Sequence, residues 1–134
     1  MSTYKDNSAD WIFLAESDLK AARVVLREEI YHTACFHAQQ AIEKSLKAIL
    51  RHRQKNVPKT HSLAKLAHDV EKSGNIGLNE DDLMFVDQFY IPTRYPDALP
   101  GSLPEGLPLK DDAEKATHIA EEIFTTVQES IKVD

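Results

Sequence analysis

A chain of 134 residues with 42% hydrophobic and 28% charged side chains has the length of one domain and enough apolar material for a core of its own. Its formal charge of -6 argues against broad wrapping of duplex nucleic acid, which calls for a basic surface. The single Cys35 permits no internal disulfide, no apolar run reaches membrane-spanning length, and the polar start MSTYKDNSADW lacks the stretch of a secretory peptide, so the sequence reads as cytoplasmic.

In chain order, a first helix is expected from Asn7 or Ser8, either able to cap it, to about Glu28. Trp11, Leu14, Ala15, Leu19, Ala22, Val25 and Leu26 recur there at helical spacing. After a break near residues 29–32, the strongest helix runs to about Gln54, roughly 35 Å at about 1.5 Å per residue. Along it Ala34, Ala38, Ala41, Ser45 and Ala48 repeat at alternating steps of four and three, flanked by Cys35, Ile42, Leu46, Ile49 and Leu50. Such a seam of small residues lets a neighbouring helix approach closely while the bulky flanks close over it, so this is bundle core.

Pro58 ends that stretch, and Thr60 or Ser62 caps a third helix that buries Leu63, Leu66, Ala67 and Val70. Residues 73–77, with Gly74 and Gly77, close it, and Asn79 caps a short helix through Leu83, Val86 and Tyr90. Pro92, Pro96, Pro100, Pro104 and Pro108 then recur every fourth residue, which excludes a helix and makes residues 91–110 an extended loop. Asp111 with Glu114 forms a capping-box pattern opening a last helix through Ala113, Ala116, Ile119, Ala120, Ile123, Phe124, Val127 and Ile131. With no strand candidate, the sequence predicts one all-α domain over residues 1–134, an antiparallel four- to five-helix up-and-down bundle.

Charge is segregated. Residues 44–65 hold Lys44, Lys47, Arg51, Arg53, Lys55, Lys59 and Lys65 without one acid, a charge of +7, which leaves -13 on the remainder. On a helix Lys44, Lys47, Arg51 and Lys55 fall within about 80° of arc and form one ridge, while Arg53 projects elsewhere. The ridge is either a site for a phosphate-bearing ligand or acidic partner, or a solvated face that balances the helix dipole.

Three blocks resemble the HEPN family: Asp10-Trp11 through Ser17-Asp18-Leu19-Lys20-Ala21-Ala22; Phe36-His37-Ala38-Gln39-Gln40-Ala41-Ile42-Glu43-Lys44-Ser45-Leu46-Lys47-Ala48 with Pro58-Lys59-Thr60-His61-Ser62-Leu63; and Tyr90-Ile91-Pro92-Thr93-Arg94-Tyr95-Pro96-Asp97-Ala98. The resemblance implies a helical bundle that commonly dimerises. In many members it implies metal-independent RNA cleavage by an Arg-x(4-6)-His motif, and in others a non-catalytic binding domain, often beside a small nucleotidyltransferase. Here the residues five to seven after Arg94 are Leu99, Pro100 and Gly101, and the next histidine is His118. Arg27 and His32 match the spacing only at the first interhelical turn. Without a histidine beside a phosphate clamp, fold alone does not license the activity.

The site residues expected from sequence are therefore Lys44, Lys47, Arg51, Lys59, Arg94 and Tyr95 for an anion or nucleotide, with His37, Gln40 and His61 as candidates to line a cleft. Arg94 and Tyr95 between two prolines suit a phosphate clamp with a stacking ring, or else a loop anchored by Tyr95 with Arg94 paired to Asp97. Gln39, Gln40 and Glu43 line a polar cleft or bond across a dimer interface, and His37 reads as a partly buried hydrogen-bonding residue. No metal site, catalytic residue or cofactor is expected: Glu29 with His32 falls across a helix break, and Glu114 with His118 is too few ligands. The expected function is a non-catalytic module binding a nucleotide, single-stranded RNA or a nucleotidyltransferase. The alternative is a divergent metal-independent ribonuclease, a toxin component of a toxin-antitoxin pair, using Arg94 with His37 or His61. The wide apolar face of the second helix and the resemblance both favour a homodimer.

Overall fold

The computed structural model describes residues 6–90 and 106–133, and among these every regular element is helical: α1 (Ser8–Arg27), α2 (Tyr31–His52), α3 (Leu63–Ser73), α4 (Glu80–Asp87) and α5 (Lys110–Val133). The three residues between α1 and α2 make these helices an antiparallel hairpin. Helix α2 is the axis of the bundle and packs against all four others, with α5 closing over α1 and α2. Ala34, Ala38, Ala41, Ser45 and Ala48 are wholly buried, as the seam pattern requires, together with Ile42, Leu46 and Ile49. The Ser45 hydroxyl is hidden by donating 2.7 Å back to the Ala41 carbonyl. The breadth of the apolar face of α2 is thus used within the chain, where α1 and α5 cover it, and by itself it does not call for a second copy.

Both α1 and α2 end in a tight left-handed turn without glycine. Glu29 and Gln54 sit at φ 62° and 60°. At the first, Ile30 N–H donates to Val25 O and Glu29 N–H to Leu26 O. At the second, Lys55 N–H donates to Leu50 O and Gln54 N–H to Arg51 O. Each pair satisfies carbonyls that the helix end would leave open, the pattern of a Schellman motif. Arg53 leaves α2 in another direction, as its helical phase indicates. Its Nη1 donates to Val70 O, Ser73 Oγ and Gly74 O at 3.2, 3.0 and 2.7 Å and closes the carboxyl end of α3.

Ser62 caps α3 by accepting from Lys65 N–H, and Asn79 caps α4 by accepting from Asp82 N–H. Four sequence expectations are corrected. Helix α5 starts at Lys110, and Asp112 rather than Glu114 reaches back, accepting from Leu109 N–H at 2.9 Å. Asn7 stands at the start of α1 without a side-chain cap bond, and Ser8 N–H is taken by Asp6 instead. Leu14 faces outward with Phe13 and Val24 rather than joining the core. Tyr90 lies beyond the end of α4 at Asp87. Residues 91–105, with Arg94, Tyr95 and four of the five closely spaced prolines, lie outside the described residues.

Candidate functional site

The polar face of α2 carries His37, Gln40, Glu43, Lys44 and Lys47, and two buried or half-buried carboxylates organise it. Asp18 of α1 accepts from His37 Nδ1 at 2.9 Å through one oxygen and from Lys44 Nζ at 2.5 Å through the other. Burial pushes the Asp18 carboxyl upward, but the hydrogen bonds from His37 and Lys44 and the Lys44 charge outweigh it, leaving the group below its ordinary value. Glu43, 3% exposed, accepts from Lys47 Nζ at 2.9 Å on Oε2. Its Oε1 takes His61 Nδ1 at 3.0 Å and Gln40 Nε2 at 3.2 Å.

These contacts redraw the basic ridge. Lys47 is buried, ion-paired to Glu43, with its ammonium 5.5 Å from the centre of the Trp11 ring. Lys44 is tied to Asp18. Lys65 pairs with Asp69 on its own helix. Arg51 is half-buried, and Lys55 and Lys59 are exposed. Of the ridge expected from helical phase, Lys55 lies beyond the end of α2, past the left-handed turn at Gln54, and Lys44 and Lys47 are internal ion-pair partners.

Of the three cleft candidates, Gln40 and His61 meet on Glu43 Oε1, while His37, one turn before Gln40, is held by Asp18. His61 is held at three points: Glu43 takes its Nδ1 proton, Gln39 Nε2 donates to its carbonyl at 2.9 Å, and its ring stacks on Tyr90 at 4.2 Å between centroids and 15° between planes. Tyr90 comes within reach because Asp87, the last residue of α4, accepts from Leu63 N–H at the first residue of α3. Phe36 continues the aromatic surface, 6.3 Å from Tyr90 and 5.6 Å from His37. His61, Tyr90, Phe36 and His37 thus form an arc of rings across the α2 face, and the His61 side chain is 54% exposed. Tyr90 immediately precedes the segment that contains Arg94 and Tyr95, whose positions lie outside the described residues.

Asp18 and Tyr90 were missed as site residues by sequence reasoning. Asp18 was legible in principle as an acid immediately beside the buried Leu19, where an unpaired carboxylate is costly. Tyr90 offered no such signal, since its role depends on where α4 ends. Among the described residues, no three His, Cys, Asp or Glu side chains are grouped to hold a metal ion, and no helix is long and apolar enough to cross a membrane.

Residues 8–130 match the HEPN domain. The chain belongs to the HEPN domain family. Solved structures similar to this HEPN chain cover nearly its whole length. TT1696 of Thermus thermophilus is 33% identical, with a TM-score of 0.76 over 93% of this chain and 98% of that one. The archaeal HEPN homologue ST0689 is 29% identical, with a TM-score of 0.70 over 95% and 99% of the two chains. A curated protein of Methanocaldococcus jannaschii, named "Putative toxin MJ1304", is 27% identical over 128 residues, covering 88% of this HEPN chain and 84% of that protein.

Proposed function

We propose that this HEPN chain is a toxin-like module that binds a nucleotide or single-stranded RNA on the arc formed by His61, Tyr90, Phe36 and His37. The observation that carries this reading is the three-point hold on His61, which fixes an exposed ring in a stack with Tyr90 at the mouth of the arc. Ring faces of this kind accept bases of any sequence, and each stacked base contributes about 1–3 kcal/mol. Lys59, exposed two residues before His61, and Arg51 supply positive charge along the same side, and Arg94 and Tyr95 join the site in this proposal as phosphate clamp and second stacking ring. Similarity to the Methanocaldococcus protein supports the toxin-like assignment. The expected partners are an identical subunit and a small nucleotidyltransferase. The outward Phe13, Leu14 and Val24 on α1 are apolar surface suited to the former.

Titration with single-stranded RNA at low and moderate salt tests this reading. Binding should weaken as salt rises, and Tyr90→Ala should weaken it roughly ten-fold, within the range for one lost stack. Equal affinity of Tyr90→Ala and the unaltered chain would remove the arc from the function.

A second reading is favoured by one specific feature. A histidine whose Nδ1 proton is fixed by a carboxylate presents Nε2 outward, which is the arrangement of a proton-transferring residue. If the chain is a divergent metal-independent ribonuclease, purified protein cleaves RNA in the presence of a chelator, and His61→Ala abolishes the cleavage. Intact RNA after prolonged incubation leaves the binding reading alone.

A further inference from the structure

The hydrogen-bond chain on α2 fixes which atoms the arc turns outward. A carboxylate only accepts, so the His61 nitrogen facing Glu43 Oε1 bears the proton, and neutral His61 presents a bare lone pair at Nε2. The same argument fixes His37, whose Nδ1 faces Asp18. The Gln39 amide is oriented by the His61 carbonyl, which only accepts, so Gln39 Nε2 points there and Gln39 Oε1 points to Gln40. Gln40 Nε2 then donates to Gln39 Oε1 at 2.8 Å and to Glu43 Oε1 at 3.2 Å, which uses both of its protons. Its Oε1 is left as an acceptor, and among the described residues no donor is recorded for it.

Gln40 and His61 hang from one oxygen of Glu43, and His37 lies one turn from Gln40 on the same face. The rim of the arc therefore carries Gln40 Oε1 as an acceptor, joined by Nε2 of His61, held on the same carboxylate oxygen, when that ring is neutral. A flat ligand whose edge meets these atoms is matched when that edge donates.

We infer that the site selects adenine and cytosine, whose exocyclic amino group stands where hypoxanthine and uracil carry a carbonyl, over those carbonyl counterparts. The inference rests on the nucleotide-binding reading above and names the base class for it. The amino group of adenine or cytosine supplies two donors where inosine and uridine place an acceptor, and an acceptor set against an acceptor leaves both unsatisfied. A guanidinium is also flat and all donor. Lys59, exposed two residues before His61, favours a phosphate-bearing ligand over a cation.

Calorimetric titration of the whole chain with AMP against IMP, and CMP against UMP, tests this, because each pair keeps its ring size and phosphate and changes the edge. AMP and CMP should bind roughly ten-fold tighter than their partners, the scale of one good base-edge contact. His61→Phe keeps a ring against Tyr90 and removes the acceptor, and Gln40→Met removes the second one. Each should shrink the AMP-over-IMP and CMP-over-UMP affinity ratios, whatever it does to the affinity for both members of a pair. Equal affinities within each pair, or preference for IMP and UMP, overturn the base selection and leave the binding reading standing. No binding to any of the four overturns both. Arginine amide bound more tightly than every nucleotide overturns the assignment of a nucleobase to this rim.

Discussion

The two sides of α2 solve the same packing problem by opposite means. On one side Ala34, Ala38, Ala41, Ser45 and Ala48 are buried and apolar or internally satisfied. Their contribution comes from close approach of neighbouring helices and from area removed from water. On the other, Glu43 and Lys47 are also buried, yet they are charged and owe their place to each other, to His61 and to Gln40. A buried pair of this kind is weak evidence for stability, since apolar residues of similar volume commonly serve as well or better. What the polar side provides instead is position: through Glu43 it fixes a loop histidine that no helix carries.

The comparison breaks first at Glu43. Glu43→Ala strands the Lys47 ammonium in the interior and should cost about 3–5 kcal/mol, the range for removing one partner of a buried ion pair. Denaturant midpoints give that number directly. On the opposite side Ala41→Leu should cost about 1–3 kcal/mol by overpacking. A smaller loss at Glu43 than at Ala41 would mean that water reaches Lys47 and that the two sides differ less than their exposure indicates.

Asp18 sharpens the contrast through pH. Its folded carboxyl lies below the ordinary 3.8, so the unfolded chain takes up the proton more readily. The stability it adds is fully present above that unfolded value and is lost as pH falls through the lower folded one. Asp18→Asn should therefore flatten the fall in melting temperature between about pH 5 and pH 2, with a cost at neutral pH below that of Ala41→Leu. An unchanged acid limb would show that the His37 and Lys44 bonds do not hold in solution. The smallest effect belongs to Ser45→Ala. The hydroxyl bonds only to a carbonyl of its own helix, so its loss should stay within about 0.5 kcal/mol, with alanine's better helix propensity offsetting the lost bond.

Lys47→Glu, which net charge alone would recommend as a test of anion binding, instead tests folding, because the new carboxylate would lie buried beside Glu43. Lys59→Glu is the appropriate probe of the charged side, since Lys59 is exposed. It should weaken RNA binding more than Lys132→Glu, which changes net charge equally at the far end of α5. Matched losses in salt-dependent titrations would reduce the effect to net charge.

The apolar side of this bundle was legible in the sequence because burial repeats with the helix period. The alanine seam, the Ser62 and Asn79 caps and the order of elements all follow from local rules acting over a few residues. The polar side was legible only as a set of names. Gln40 and His61 share one oxygen of Glu43, but helical phase gives an angle and says nothing about depth, so Lys47 read as part of a surface ridge. Its burial depends on Trp11, 36 positions earlier in the chain. The ends of α1 and α2 fell within two residues of expectation, although glycine ordinarily marks a left-handed cap and Glu29 and Gln54 occupy those positions here.

Arg53 ties two helix ends into one event. Its guanidinium holds the last carbonyls of α3 while its own backbone N–H closes α2 on the Ile49 carbonyl. Opening either end breaks the hold on the other, so amide exchange at the end of α2 and at Ser73–Gly74 should proceed at a common rate rather than as independent fraying. Gly74 is constrained by the same side chain, since a Cβ there would lie 3.2 Å from the guanidinium carbon. Because α3 begins one residue after the Ser62 cap, and His61 directly precedes that cap, the clasp at the far end of α3 keeps the whole helix in register. A histidine on one rim of the molecule is thereby steadied by an arginine on the other.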